Sequence, residues 1–243
     1  MNFLIQKINK RITHDFSFTL LESIRYQKWI QNNPNAINVK YLDYIKNSDD
    51  KLWNFKPFHR NYIPVGSINF VLVWMNYFNI QLPKPKNVPE ELFSYCHRHI
   101  FNGNQDDLKG HGKSFVKTND SFKGFCEIVN DDYQLQAGNY QISELIDIES
   151  EWRCFVYNGK LVGLQNYLGT FDMFPHIENI KSMITAYRSA PIAYTLDIGI
   201  HNERVFPIEV HDFFSIGLYG FSDHNILPYM FYRWFKEYLN NLK

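Results

Sequence analysis

The chain has 243 residues, 45% apolar and 21% charged, with 25 Lys+Arg set against 25 Asp+Glu. That length buries a sizeable core in one large or two small domains. The balanced charge argues against a general duplex-binding protein, whose affinity would rest on neutralising phosphates.

Residues 2–8 read as a short strand. Their apolar run ends at Lys7, Lys10 and Arg11, too soon for a secretory signal. Residues 17–30 show helical spacing of Phe, Leu and Ile. After the polar run at 47–50, Pro64-Val65-Gly66 reads as a turn leading into a helix that Ser67 caps. Residues 81–89 form a proline-rich connector, and Pro89-Glu90-Glu91 opens another short helix in the favoured N-terminal manner. A stretch at 102–112, rich in Asn, Gly, Asp and Lys, marks a boundary. It divides the chain into an N-terminal region, 1–110, and a second region, 111–243.

The second region reads as short strands with turn signals. Strands are expected at 114–118 and 141–146. Residues 152–157 and 160–166 flank Asn158-Gly159, the strongest two-residue hairpin signal. A helix at 176–186, strands at 193–200 and 205–211, and a closing helix at 228–242 complete an α+β pattern. The aromatics of 229–235 belong to the core. Cys96, Cys126 and Cys154 lack CxxC spacing and imply no disulfide framework, which fits a reducing compartment. No segment approaches the roughly 20 apolar residues that cross a bilayer. The expectation is a cytoplasmic protein with no membrane partner.

Chemistry concentrates at Asp197-Ile-Gly-Ile and Pro207-Ile-Glu-Val-His-Asp212. Residues i and i+2 of a strand share a face, so Glu209 and His211 can address one ion together. If the two strands pair through His201-Asn202-Glu203-Arg204, Asp197 comes alongside. A carboxylate-rich, thiolate-free set suits Mg²⁺ or Mn²⁺, and Mg²⁺ so held usually also grips substrate phosphates. Solvent-facing carboxylates and a hydrogen-bonded core histidine are the plain alternatives. Gly110-His-Gly-Lys-Ser114 lacks the leading glycine of a phosphate-binding loop. Cys96-His-Arg-His99 lacks a complementary pair of zinc ligands, leaving Arg98 as a candidate substrate contact. A basic groove beside Arg98, Lys109 and Lys113 would favour a nucleic-acid substrate.

In order and spacing these elements resemble the ATP-grasp fold. Lys117 in Phe115-Val-Lys-Thr-Asn119 stands where that family places a phosphate-binding lysine. Ser143-Glu144-Leu145-Ile146 resembles the hinge whose backbone meets adenine. Glu151 stands where related ligases carry the acid that takes the ribose hydroxyls. Asp197 and Glu209 resemble the acidic metal pair, with His211 where the family usually has Asn. More narrowly, the chain is similar to the clade named for one arginine and two lysines: Lys117 and Lys123 would supply the lysines, and Arg153 of Glu151-Trp-Arg the arginine. Tyr62-Ile-Pro-Val-Gly-Ser67 resembles the start of that clade's N-terminal region.

The resemblance implies an ATP-grasp fold, ATP between two α+β subdomains, preceded by a small N-terminal α/β region. It implies Mg²⁺- and ATP-dependent joining of a carboxylate to an amine through an acylphosphate, with Mn²⁺ an alternative ion. Arg153 and Lys123 then carry catalytic roles. Lys117, Lys123, Glu144, Leu145, Ile146 and Glu151 hold the nucleotide, and Asp197, Glu209 and His211 hold the metal. Replacing Asp197 or Glu209 by Ala is expected to abolish turnover with the fold intact. The rivals are an ATP-grasp enzyme acting on a nucleic acid end, a modified base or a peptide tag, and a nucleotide-binding module without catalysis.

Overall fold

Runs of alternating and continuous apolar residues set the strands from which the fold is assembled. The computed structural model describes residues 1–44, 58–122 and 124–240. The polar run at 47–50 and Lys123 lie outside the described residues. Contacts gather the chain into two compact units: Met1–Pro83 with Pro191–Ala193 and Asp212–Lys243, and Lys84–Ala190 with Tyr194–His211.

The first unit is built on a parallel sheet. Strand β1 (Asn2–Lys7) lies between β2 (Asn38–Asp43) and β3 (Ile63–Val65), parallel to both. Parallel neighbours need a crossover, and helix α1 (Asp15–Ile30) supplies the first. Phe3, Leu4 and Ile5 are all fully buried, because a central parallel strand is covered on both faces. Ile63–Val65 is strand rather than turn. The bend comes at Gly66, where an added Cβ would collide with the Gln6 side chain. Ser67 then caps helix α2 (Ile68–Tyr77), its hydroxyl accepting the Phe70 N–H at 3.3 Å. The last helix of this unit, α4 (Leu227–Asn240), buries Leu227, Met230, Phe231, Trp234, Phe235 and Leu239. Their spacing makes one apolar stripe. Trp234 stacks on Phe214 at 4.8 Å between ring centroids.

The second unit holds two four-stranded sheets. One is antiparallel in the order β4 (Ile100–Gly103), β7 (Tyr140–Glu144), β5 (Ser114–Thr118), β6 (Cys126–Val129). On β5 the pleat turns Val116 into a core with Leu108, Val129, Tyr140 and Ile142. Phe115 and Lys117 are left on the opposite face. The other sheet runs β11 (Arg204–Asp212), β10 (Ala193–His201), β8 (Ser150–Tyr157), β9 (Lys160–Gly169). Its hairpins turn on residues with positive φ, Asn158-Gly159 and Asn202-Glu203, as two-residue connections require. Trp152, Cys154, Val156, Leu196 and Ile198 form a core with Ile180 and Met183 of helix α3 (Ile177–Ala186). By alternation Glu151, Arg153, Asp197 and Gly199 face the other way. The segment after Pro89 forms a 3-10 helix, Glu90–Tyr95, with Pro89 as its N-cap.

Candidate functional site

Strands β8, β10 and β11 are neighbours, and their outward-facing residues meet. Arg153 forks onto Asp197, Nε to Oδ1 at 2.8 Å and Nη2 to Oδ2 at 2.6 Å. Both are deeply buried, Arg153 at 6% and Asp197 at 1% exposure. A buried carboxylate is stable only when such donors satisfy it. Glu209 accepts from Lys117 Nζ at 2.5 Å and lies 2.6 Å from His211 Nε2. Lys117 comes from the other sheet, so this ion pair spans the two sheets of the unit. Burial alone would raise the Glu209 carboxyl, but the hydrogen bond and charge of His211, then those of Lys117, hold it well below its usual range.

Glu209 and His211 share a face, as the i, i+2 spacing requires. Phe206 and Ile208, at even positions, also lie on the site side, while Val205 and Val210 enter the core below. Strict alternation therefore slips by one residue between Ile208 and Glu209, and the strand offers both an apolar and a charged segment to one side of the sheet.

The ligand atoms of Asp197, Glu209 and His211 lie within 4.8 Å of one another. Ligands on opposite sides of one Mg²⁺, with bonds of about 2.1 Å, stand about 4.2 Å apart. A small side-chain adjustment brings the three into reach of a single ion. Two carboxylates and an imidazole are a donor set for Mg²⁺ or Mn²⁺, so the residues fit a divalent cation. Both carboxylates are already ion-paired, with Arg153 and with Lys117. A cation therefore gains little from this cluster alone and is best accommodated together with added phosphate charge.

Beside the cluster is a slot of about 190 Å³ lined by Arg98, Phe115, Ile128, Ser143, Glu144, Leu145, Ile146, Ile148 and Ile208. Phe115 and Ile128 come from one sheet and Ile208 from the other. Such an apolar slit with a free-running backbone edge suits a planar heterocycle. Glu144 ends β7, its N–H donating to His99 O at 3.0 Å and its Oε2 accepting His99 N–H at 2.8 Å. Leu145 and Ile146 follow outside the sheet ladder. Gly199 keeps the approach narrow, since an added Cβ would lie 2.7 Å from the Phe206 ring and 3.2 Å from Ile148. A second hollow, of about 180 Å³, is lined by Lys86, Asn87, Lys117, Thr118, Ser121, Cys126, Glu209 and His211 among others.

The residues named from the sequence thus fall into groups. Glu144, Leu145 and Ile146 line the slot, and Lys117, Glu209 and His211 line the second hollow. Arg153 and Asp197 pair beneath the acidic cluster. Glu151 is not among the slot residues. It accepts the Tyr167 hydroxyl at 2.5 Å, which ties it to the acidic cluster instead. Lys123 lies outside the described residues.

Two residues that carry weight here had little or no signal in the sequence. Arg98, named there only as a substrate contact, lines the slot with its guanidinium 5.3 Å from the Phe206 ring centroid. Tyr167 is the extra residue of a β-bulge: Glu151 pairs with Leu168 and Trp152 with Asn166, so Tyr167 is skipped in the ladder. Bulges re-aim side chains, and this one brings the Tyr167 ring 5.6 Å from Arg153 Cζ. Burial, followed by the charge of Asp197 and the hydrogen bond to Glu151, raises the Tyr167 phenol far above its normal range. It therefore stays a neutral donor. A Phe or Leu at this position would have been equally compatible with the strand pattern, so periodicity does not reveal it.

Residues 95–228, more than half of the chain, match the family model for an ATP-grasp domain, family 2 of the clade named for one arginine and two lysines. No curated protein matches by sequence. Among solved structures, the chain is similar to D-cycloserine synthetase DcsG, with a TM-score of 0.58 and 9% identity over 98% of this chain and 99% of that one. It is also similar to D-alanine–D-alanine ligase from Bacillus anthracis complexed with ATP, with a TM-score of 0.50 and 11% identity over 99% and 96% of the two chains. A third likeness is to the Chryseobacterium gregarium RiPP-associated ATP-grasp ligase in complex with ADP and a leader and core peptide, with a TM-score of 0.51 and 11% identity over 100% and 98%. At these identities the likeness is one of fold. Since the family's sequence pattern runs across both four-stranded sheets and the fold is shared along the whole chain, the protein belongs to the ATP-grasp superfamily, in family 2 of the one-arginine, two-lysine clade.

Proposed function

We propose that the protein is an ATP- and Mg²⁺-dependent ligase that joins a carboxylate to an amine through an acylphosphate. The observation that carries this reading is the ion-paired cluster of Lys117, Glu209, His211, Asp197 and Arg153 beside an apolar slot lined by Glu144, Leu145 and Ile146. In this reading adenine enters the slot between Phe115 and Ile208, and the phosphates extend toward Lys117. Lys117 then exchanges part of its pairing with Glu209 for phosphate oxygens. Asp197, Glu209 and His211 would hold a divalent cation, which would supply charge neutralisation for the phosphates.

Phosphoryl transfer of this kind depends mainly on positioning and electrostatics. An oxygen of the acceptor carboxylate attacks the γ-phosphorus, the bond to the β-phosphate oxygen breaks, and ADP leaves. The amine next attacks the acyl carbon, the carbon–oxygen bond to phosphate breaks, and the amine gives up a proton. Arg153 is held rigid by its fork to Asp197, with its ring-facing side toward Tyr167, and it places fixed positive charge beside the transferring group. Tyr167 holds Glu151 away from free rotation. Lys123 completes the lysine pair that gives the clade its name. Neither buried cysteine is enlisted: burial holds the Cys96 thiol up at about 11 and keeps Cys154 well above its ordinary value.

Calorimetric titration tests this reading. ATP with Mg²⁺ is expected to bind, Mg²⁺ alone to bind weakly, and Glu209→Ala to weaken the Mg²⁺-dependent part. An ADP-release screen over paired carboxylates and amines then identifies the acceptor. Absence of ATP binding under every condition would remove the nucleotide site and the ligase reading with it. A peptide carboxylate is a second reading, supported by the shared fold of the Chryseobacterium gregarium ligase whose structure holds a leader and core peptide. Peptide-dependent ADP release with no response to small carboxylates would favour it.

A further inference from the structure

We infer that Asn87 is a positioning residue that sets the phosphate end of the nucleotide site, clamping the strand of Lys117 to the strand of Glu209 and His211. This rests on the nucleotide-site reading above and adds a determinant outside both strands. Asn87 lies in the connector between Lys84 and Glu90, in neither helix nor strand, yet it is only 8% exposed. Its φ is +43°, in the left-handed region that costs an L-residue energy and that Asn tolerates better than most. The backbone and the side chain of this one residue are bonded to different strands.

Its carbonyl accepts the Val210 N–H at 2.7 Å, the amide between Glu209 and His211. Its side-chain nitrogen donates to Thr118 O at 3.0 Å and to Asn119 Oδ1 at 2.7 Å, immediately after Lys117. Both amide hydrogens are thereby used, and a carbonyl acceptor at Thr118 fixes which way the amide faces. The next residue is held as firmly. Val88 N–H donates to Gln141 Oε1 at 3.0 Å, and Gln141 Nε2 donates to Val88 O at 2.8 Å. Gln141 is the direct cross-strand partner of Lys117 in the β5–β7 ladder. Two successive connector residues are thus hydrogen-bonded to β5, β7 and β11.

The 2.5 Å contact between Lys117 Nζ and Glu209 Oε2 joins side chains on two different sheets, and no ladder hydrogen bond sets their offset. Asn87 supplies that link through part-buried side-chain bonds, and the neighbouring Val88–Gln141 pair is buried, where hydrogen bonds are stronger than in water. Gly would tolerate the backbone angle but would sever the bond to Thr118. Asp would keep the shape, lose the donor and face the Thr118 carbonyl with a negative charge. The slot lined by Glu144, Leu145 and Ile146 contains neither Asn87 nor Thr118. The clamp therefore acts on phosphate binding and not on the heterocycle.

The test compares Mg²⁺-ATP and AMP as calorimetric probes of the full chain carrying Asn87→Asp or Asn87→Gly. AMP reads the slot, while ATP with Mg²⁺ also reads the Lys117 and Glu209 end. The clamp predicts a loss on the order of tenfold in Mg²⁺-ATP affinity, with AMP affinity essentially unchanged and a cooperative thermal transition retained. It also predicts that Asn87→Asp adds little in a Lys117→Ala background, since both changes remove the same alignment. If Asn87→Asp fails to fold, Asn87→Gly, which introduces no charge and tolerates the backbone angle, carries the comparison. Equal losses for both probes, or wild-type affinity for Mg²⁺-ATP in both variants, would overturn the clamp while leaving the nucleotide site in place. Failure of the unaltered protein to bind either probe would instead overturn the nucleotide reading, and the clamp with it.

Discussion

Asp197 and Glu209 look equivalent in the sequence, and the structure separates them. Asp197 is paired with a buried guanidinium, so removing it takes the carboxylate of a buried ion pair away from Arg153. Such a loss typically costs about 3–5 kcal/mol, a large share of the roughly 5–15 kcal/mol that holds a domain folded. Asp197→Ala is therefore expected to lower the urea midpoint sharply, against the simpler expectation that its fold survives. Pairing Asp197→Leu with Arg153→Met should recover the midpoint without recovering Mg²⁺-ATP binding. Glu209 has a side chain 24% exposed, and its partners Lys117 and His211, at 16% and 34%, can turn toward solvent. Glu209→Gln should cost only about 1–2 kcal/mol. Its pH dependence has a definite sign. The folded carboxyl is depressed below its ordinary value of 4.5, so its contribution is fully present above that pH and is lost as pH falls toward the folded value. The stability gap between the protein and Glu209→Gln should shrink on acidification below about pH 4.5, and a gap constant from pH 7 to pH 3 would refute the assignment.

At the scale of elements, the two hairpins of the β8–β11 sheet differ in how well their turns suit them. Asn158-Gly159 has glycine at its second position, whereas Asn202-Glu203 places an exposed glutamate at a φ of +63°. A left-handed L-residue costs roughly 1–2 kcal/mol, and glycine returns part of that gain through the entropy of the unfolded chain. Glu203→Gly is therefore expected to stabilise the protein by about 0.5–1 kcal/mol, measured as a higher urea midpoint at unchanged slope. The well-marked elements were legible for local reasons. Strand β5, the β8–β9 hairpin and the Ser67 cap each follow from a few adjacent residues. Strands β2, β4 and β6 sit at sheet edges and carry no comparable local signal. On β2 and β6 most residues are exposed or only half-buried, so no apolar alternation is needed to keep them in place.

For the molecule as a whole, burial sorts groups that composition leaves alike. Cys96 and Cys154 are buried in the β8–β11 core, with thiols raised in pKa by desolvation, while Cys126 lies exposed on β6. Thiolates are the reactive form. One equivalent of thiol reagent should react quickly with the native protein and three after denaturation, and Cys126→Ser should abolish the fast phase. Mass spectrometry locating the fast label on Cys96 or Cys154 would contradict the burial. No helix among the described residues is long and apolar enough to cross a membrane, in keeping with the absence of such a run in the sequence.

By itself the sequence determined the well-marked helices and strands, the Asn158-Gly159 hairpin, and the shared face of Glu209 and His211, since each depends on spacing among a few neighbouring residues. The tertiary structure alone decided that Lys117 would reach Glu209, that Arg153 would fork onto Asp197, that a bulge would turn Tyr167 toward Glu151, and that Asn87 would bridge two strands from a connector. Those meetings join residues from 16 positions apart, for Tyr167 and Glu151, to 92, for Lys117 and Glu209, and beyond. They depend on how two sheets pack and where a ladder slips by one residue, and periodicity along a single strand contains neither quantity.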